Sequence, residues 1–135
     1  MRSRLGQSRA WYLIAALATL MAGLVSRSLG LDKSHFIVMY VGDVLWAGLI
    51  YYLLRWIQPK LRARTSALLA AAFCLAIELQ QLSQAGWLLE LRSNKMMALV
   101  LGHSYSSADL LCYATGIVLA LLLDNFCRQK KHPLA

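Results

Sequence analysis

The stretch SALLAAAFCLAIELQQL, residues 66–82, joins an unbroken apolar run to one carboxylate, Glu78, and two amides, Gln80 and Gln81. Its length meets the roughly 17 to 25 residues that an α-helix needs to cross the hydrocarbon core of a bilayer. An acidic side chain in hydrocarbon costs about 2.5 to 3.5 kcal/mol on insertion scales unless it is paired or hydrated. We therefore expect a membrane-spanning helix whose polar end is kept for pairing or for function.

The whole chain has the composition of a membrane protein. Of its 135 residues 59% are hydrophobic and only 15% are charged, and the mean hydropathy is +0.54. A soluble domain carries about 25% charged residues. Three further apolar segments are long enough to cross a bilayer, namely residues 10–26, 36–57 and 107–125. Because no linker or low-complexity tract divides the chain, we predict an all-α polytopic membrane protein, one integral membrane domain over residues 1–135 with four transmembrane helices.

The segment between the third and fourth predicted spans, residues 84–106, has a different pattern. It mixes apolar residues with Glu90, Arg92 and Lys95, and its uncharged part is too short to cross the bilayer. We predict an interfacial or re-entrant segment.

The distribution of basic residues predicts the orientation in the membrane. Of the 14 Lys and Arg residues, ten lie in the amino-terminal tail, the loop of residues 55–64 and the carboxy-terminal tail, and four lie on the opposite side. Short cytoplasmic loops retain positive charge during insertion. We therefore expect a multi-pass protein of a bacterial inner membrane with both termini in the cytoplasm. The net charge of +8 is accounted for in this way, so we predict no nucleic-acid partner.

Ionisable residues of the predicted spans converge on one layer near the outer surface. From a rise of about 1.5 Å per residue, Asp43 lies roughly 10 Å, Glu78 about 6 Å and Asp109 about 4 Å inside the outer ends of their helices. Two arginines fall at the same level, and Gln81 shares a helix face with Glu78. The candidate ligand-binding residues are therefore Arg27, Asp43, Glu78, Gln81, Arg92 and Asp109.

Small residues accompany two of these acids on their helix faces, at spacings of three, four and seven residues. The face of Glu78 holds Ala71, Cys74 and Gln81, and the face of Asp109 holds Cys112, Gly116 and Ala120. Small residues let helices approach closely in lipid, so we expect both acids to point into the bundle. Aromatic residues near the predicted interfaces are interpreted as membrane belts: Trp11, Tyr12, Tyr52, Trp56 and Trp87.

Two interpretations of the charged layer stay open. In the first, it is an outward-facing pocket that binds the anionic head group of an envelope lipid or precursor, with arginines on the anion and carboxylates on hydroxyl or ammonium groups. In the second, it is a structural network in which Glu78 and Asp109 neutralise Arg27 and Arg92.

Several quoted motifs together resemble a known bacterial family. The combination of MYVGDVLWAGLIYYLLR, AIELQQL, the W-L-x-x-L-R pattern from Trp87 to Arg92 and LVLGHSYSSADLLCYATGIVLA resembles the domain of unknown function 2809 family over most of the chain. The order Glu78-x-x-Gln81, Arg92, Asp109-Leu110-Leu111 is more distantly similar to VanZ-like membrane proteins. That likeness implies a role near the cell envelope. VanZ-like chains usually carry Asn where this chain has Cys112.

Other classes of function have weaker support. His103, with nearby serines and Asp109, lacks the G-x-S-x-G pattern of a hydrolase, so we assign no catalytic residues. Asp43, Glu78 and Asp109 could offer oxygen ligands to a hard cation, but without paired His spacing we assign no metal and no cofactor. An oligomeric small-solute or ion transporter remains an alternative. So does a structural partner within a homo-oligomer or a larger membrane complex.

Overall fold

A computed structural model describes residues 2–28, 36–101 and 107–131, and every regular element in these ranges is a helix. The helices are α1 (Arg2–Ser28), α2 (Phe36–Ile57), α3 (Ala63–Gln81), α4 (Gly86–Ser93), α5 (Lys95–Leu101) and α6 (Ser107–Lys131). The all-α prediction is confirmed, and each predicted span corresponds to one long helix. The boundaries differ: α3 begins at Ala63 rather than Ser66, and α6 continues to Lys131 rather than ending at residue 125.

Three of the long helices contain segments that are long and apolar enough to cross a membrane: Arg9–Ser26, Ala63–Gln81 and Ser107–Lys130. Within these segments only 11%, 22% and 28% of the residues are buried inside the protein. The outward surface is rich in large apolar side chains such as Ile14, Leu68 and Leu111. Exposed apolar surface on this scale marks a surface that contacts a membrane or another protein, and together with the three long apolar helices it is consistent with a membrane protein.

Helix α2 is the centre of the arrangement. It packs against α1, α6 and α3, while α6 also packs against α3. We call the end of the molecule where α2 and α6 end and α3 begins the Arg55 end. The opposite end, where α3 ends and α6 begins, is the Glu78 end.

The segment predicted to be interfacial or re-entrant folds into the two short helices α4 and α5. In the described part of the chain, the backbone of α4 approaches only α5, and that of α5 otherwise approaches only α3. Trp87 on α4 and Met96 on α5 are largely exposed. Residues 102–106, which include His103, lie outside the described residues.

Helices α2 and α6 are in close backbone contact at Gly116. A Cβ atom at this position would collide with the carbonyl oxygen of Val44 and lie 3.1 Å from the Cβ of Ala47. The prediction that Gly116 and Ala120 face inward is confirmed, since both are buried. Only glycine permits this backbone contact, which agrees with the role of small residues in helix packing in lipid.

The inward face of α3 is also close to the predicted one. Cys74 is buried beneath Glu78, as predicted. Ala71, predicted to face inward, is exposed, and the buried position is taken by Ala70. The error is confined to Ala71, because the buried face continues toward the start of α3 in four-residue steps, from Glu78 to Cys74, Ala70 and Ser66, rather than in a step of seven.

We predict that Gly116→Ala destabilises the protein in detergent, because the added methyl group must push α2 and α6 apart. Overpacking of this kind costs about 1 to 3 kcal/mol. The matched control is Gly23→Ala on α1, where an added Cβ meets nothing within 4 Å. Thermal unfolding of the solubilised protein should show a lower Tm for Gly116→Ala and an unchanged or slightly higher Tm for Gly23→Ala. Equal Tm values for the two variants would contradict the assigned helix contact.

Candidate functional site

At the Arg55 end, two tyrosine hydroxyls and two arginine guanidinium groups surround the buried carboxylate of Asp124 on α6. Oδ1 accepts a hydrogen bond of 2.7 Å from the Tyr12 hydroxyl, and Oδ2 accepts one of 2.6 Å from the Tyr51 hydroxyl. Arg55 Nε lies 3.2 Å from Oδ2, and Arg128 Nε lies 3.4 Å from Oδ1. Each oxygen thus has two partners, and we call these five residues the Asp124 cluster.

Arg55 connects this cluster to the turn between α2 and α3. Its side chain is fully buried, its Nη2 donates to the Tyr12 hydroxyl at 2.7 Å, and its Nη1 donates to the carbonyl of Leu61. The guanidinium carbon also lies 4.9 Å from the centre of the Tyr12 ring. The cluster therefore ties together α1, α2, α6 and the turn, and no oxygen of its carboxylate is left for a ligand.

None of the Asp124 cluster was among the candidate residues taken from the sequence. Arg55 was interpreted as a loop charge, but it is buried. The belt interpretation of Tyr12 and Tyr52 is wrong as well: both are buried, and Trp11 packs edge-on against both rings at centroid distances of 5.1 and 5.8 Å. One signal was available, since Gly116, Ala120 and Asp124 follow each other at four-residue spacing on the inward face of α6.

We predict that Asp124→Asn strongly destabilises the protein, because it leaves the Arg55 guanidinium buried without a counter-charge. Losing one partner of a buried ion pair costs about 3 to 5 kcal/mol. The control is Arg128→Gln, which removes the other cation from the same carboxylate. Arg128 is 48% exposed, and an exposed ion pair contributes about 0 to 1 kcal/mol. Thermal unfolding in detergent measures both variants, and a smaller loss for Asp124→Asn than for Arg128→Gln would refute the assignment.

At the Glu78 end, carboxyl groups from three helices converge near Tyr113. Glu78 on α3 is fully buried and accepts a hydrogen bond of 2.9 Å from the Tyr113 hydroxyl. The partly buried Asp43 and Asp109 lie on α2 and α6, and all three carboxyl groups are close enough to Tyr113 to act on it electrostatically. The structure thus brings together Asp43, Glu78 and Asp109.

Arg92 reaches the same end of α3 from α4. The residue is only 8% exposed, and its Nη2 donates to the Gln80 carbonyl at 2.7 Å and to Gln80 Oε1 at 2.9 Å. Nη1 lies 3.5 Å from the Ser83 carbonyl, and the buried Nε has no hydrogen-bond partner. The expected pairing with Glu78 is not among the ion pairs of the described residues, which involve only Asp124. Arg92 is a buried cation whose recorded partners are all neutral.

The two glutamines at the end of α3 hold the end of α5. Gln80 Nε2 and Gln81 Nε2 both donate to the carbonyl of Leu101, at 2.7 and 2.9 Å. Gln81 is buried, and its Oε1 has no hydrogen-bond partner. A donor, Arg92 Nε, and an acceptor, Gln81 Oε1, are therefore both buried and unpaired near the end of α3.

The remaining candidate residue, Arg27, lies in the last turn of α1, and its side chain is outside the described residues. Among the described residues, no group of three His, Cys, Asp or Glu side chains is arranged to hold a metal ion. A groove of about 90 Å³ lies between α1 and α2 in the half of the molecule toward the Glu78 end. Its lining is almost wholly apolar: Thr19, Leu20, Gly23, Leu24, Gly42, Leu45, Trp46 and Leu49.

Apolar helices packed around buried polar clusters define a helical protein of the membrane type. The chain belongs to the family described as protein of unknown function (DUF2809), whose model matches residues 33–117. The matched range contains Asp43, Glu78, Gln81, Arg92 and Asp109, whereas Arg27, Tyr12 and Asp124 lie outside it. No solved structure matches the chain.

Proposed function

We propose that the protein crosses a bacterial inner membrane four times and binds the anionic head group of an envelope lipid at its Glu78 end. In this proposal α2 is the fourth span, both termini are cytoplasmic and the Glu78 end faces outward. The central packing of α2 against three apolar helices supports its position in the bilayer. The excess of Lys and Arg toward the Arg55 end supports the orientation.

The observation that carries the proposal is the buried guanidinium of Arg92. A buried cation without a counter-ion is unfavourable, and removing one partner from a buried pair is strongly destabilising. Two carbonyls and an amide oxygen at the end of α3 stabilise Arg92 only through their dipoles. Hydrogen bonds to an ionised acceptor are about twice as strong as those to a neutral one, so an anionic ligand is the partner that this site favours.

The other polar groups at the Glu78 end suit the remainder of a lipid head group. Partly buried Asp43 and Asp109 can accept hydrogen bonds from hydroxyl or ammonium groups, and Gln81 Oε1 is a free acceptor. The apolar groove between α1 and α2 offers space for a short stretch of acyl chain. The resemblance to VanZ-like proteins adds support for a ligand of the cell envelope.

The orientation can be tested with reporter fusions. We expect a cytoplasmic reporter to be active when fused after Ala135 or within residues 58–64, and inactive at Asp32 or Ser93, because basic loops stay on the cytoplasmic side. A periplasmic reporter at the same positions should give the opposite result. Activity of the cytoplasmic reporter at Ser93 would show that the Glu78 end does not face outward.

Lipid binding can be tested by native mass spectrometry after mild detergent extraction. We expect the wild-type protein to retain an anionic lipid and Arg92→Gln to retain about tenfold less, because one charge-assisted contact has been removed. The matched control is Arg64→Gln, an exposed arginine at the Arg55 end, which should retain wild-type amounts. Thermal unfolding of the same samples checks that Arg92→Gln is folded.

Retention of the same lipid by folded Arg92→Gln at wild-type levels would contradict head-group binding. The second candidate, an oligomeric ion or small-solute transporter, would then be favoured, since carboxyl groups on three neighbouring helices are suited to a proton relay. A wild-type protein that retains no lipid would instead favour a structural partner in a larger membrane complex.

A further inference from the structure

The contacts between the α4–α5 segment and α3 include hydrogen bonds of polar side chains, while Leu88 is the buried apolar residue of α4. Within the described ranges, the backbone of α4 approaches only α5, and that of α5 otherwise approaches only α3. The recorded hydrogen bonds between this segment and α3 are those of Arg92 with Gln80 and those of Gln80 and Gln81 with Leu101. Because such bonds exchange readily with a competing partner, a ligand that competes for them can change how the segment is held.

The geometry of Arg92 determines which bond a ligand would break. A guanidinium binds an oxyanion with two parallel hydrogen bonds from one edge. Nε and Nη2 share such an edge, and Nε is unpaired whereas Nη2 donates to both oxygens of Gln80. An anion that uses this edge must therefore displace at least one Gln80 oxygen, and the side-chain Oε1 is the one that can rotate away.

The side-chain amide of Gln80 contacts both Arg92 on α4 and Leu101 at the end of α5. Its Oε1 accepts from Arg92 at 2.9 Å while its Nε2 donates to the Leu101 carbonyl at 2.7 Å. Rotation of the amide away from Arg92 also withdraws Nε2 from Leu101. The end of α5 would then be held on α3 by Gln81 alone.

We propose that a phosphate-bearing ligand takes the Nε–Nη2 edge of Arg92, displaces the Gln80 amide and thereby releases the end of α5 from α3. This inference rests on the proposed function and names the ligand class as a phosphate monoester or diester, whose tetrahedral oxyanion matches the guanidinium edge. Gln80 is a positioning residue that couples binding at Arg92 to the placement of α5. The exposed Trp87 and Met96 keep the apolar side of the segment in lipid in both states.

The movement can be measured with spin labels in dodecyl maltoside micelles. Labels are placed at two exposed positions, Met96 on α5 and Leu111 on α6, after the three native cysteines have been replaced by alanine. The distance between the labels is recorded with dioleoyl phosphatidylglycerol, with dioleoylglycerol, which lacks the phosphate, and with inorganic phosphate. We expect phosphatidylglycerol, but not dioleoylglycerol, to shift the distance distribution.

The coupling role of Gln80 is tested with Gln80→Met, which keeps the side-chain length but removes both hydrogen bonds. We expect this variant to retain phosphatidylglycerol at least as well as the wild type, because Gln80 no longer competes for Arg92, while the label distance becomes independent of the lipid. The matched control, Gln84→Met, changes an exposed glutamine in the loop between α3 and α4 and should respond like the wild type. Reduced retention of phosphatidylglycerol by Gln80→Met would contradict the proposal that Gln80 competes with the lipid for Arg92.

The outcomes separate this inference from the proposed function. Retention of phosphatidylglycerol by the wild type without a change in label distance overturns the coupling and leaves head-group binding intact. Absence of both retention and movement overturns both. Movement with inorganic phosphate alone supports the coupling and assigns the site to a free phosphate rather than to a lipid.

Discussion

The four-fold contact at the carboxylate of Asp124 is the interaction on which the helix arrangement depends. Between helices in a bilayer the hydrophobic effect gives little preference for protein over lipid, so close packing and polar contacts determine which helices associate. Among the described residues, the backbone of α1 packs only against α2, and the Tyr12 hydroxyl carries the hydrogen bonds between α1 and α6, one to Asp124 and one from Arg128. Without the Asp124 carboxylate, the Tyr12 hydroxyl would lose the shorter of these two bonds and would keep the one from Arg55 on α2.

The two ends of the molecule differ in how completely their polar groups are paired. At the Arg55 end each oxygen of Asp124 has two partners, and the buried Arg55 Nε, which makes no hydrogen bond, lies 3.2 Å from the carboxylate of Asp124. At the Glu78 end the buried Arg92 Nε and Gln81 Oε1 also make no hydrogen bond, and the partners of the Arg92 guanidinium are all neutral. A buried cation that faces a carboxylate is compensated, whereas a buried cation with only neutral partners is unfavourable until an anion binds it. This contrast is the physical basis for placing the ligand at the Glu78 end.

The number and approximate bounds of the long helices could be predicted from the sequence. The length of an apolar segment and the rise per residue of a helix are local properties, which do not depend on the neighbouring helices. The helical rise per residue also predicts that Asp43, Glu78 and Asp109 lie at the same depth, and in the structure the three acids lie near Tyr113. Their partners could not be predicted in this way. A pairing depends on which helices are adjacent and on rotations of one residue about the helix axis.

Arg92 and Asp124 are two residues whose contacts could not be predicted from the sequence. The sequence suggested a carboxylate partner for Arg92, but the short loop after α3 directs its side chain to the backbone and amide of Gln80. Asp124 follows three leucines at the very end of the predicted span 107–125 and precedes the basic residues of the carboxy-terminal tail, a position typical of the membrane flank. Its inward position became evident only from the continued spacing of Gly116 and Ala120 on the same face.

The order in which the Asp124 cluster is completed has a consequence for biosynthesis. Tyr12, Tyr51 and Arg55 leave the ribosome well before Asp124, which is supplied by the last described helix. In the proposed topology, the Arg55 guanidinium lacks the carboxylate that pairs with it until α6 has entered the membrane, so the earlier helices form an intermediate with an uncompensated charge. A chain truncated before residue 124 stays in that state, which distinguishes it chemically from the chain that contains α6.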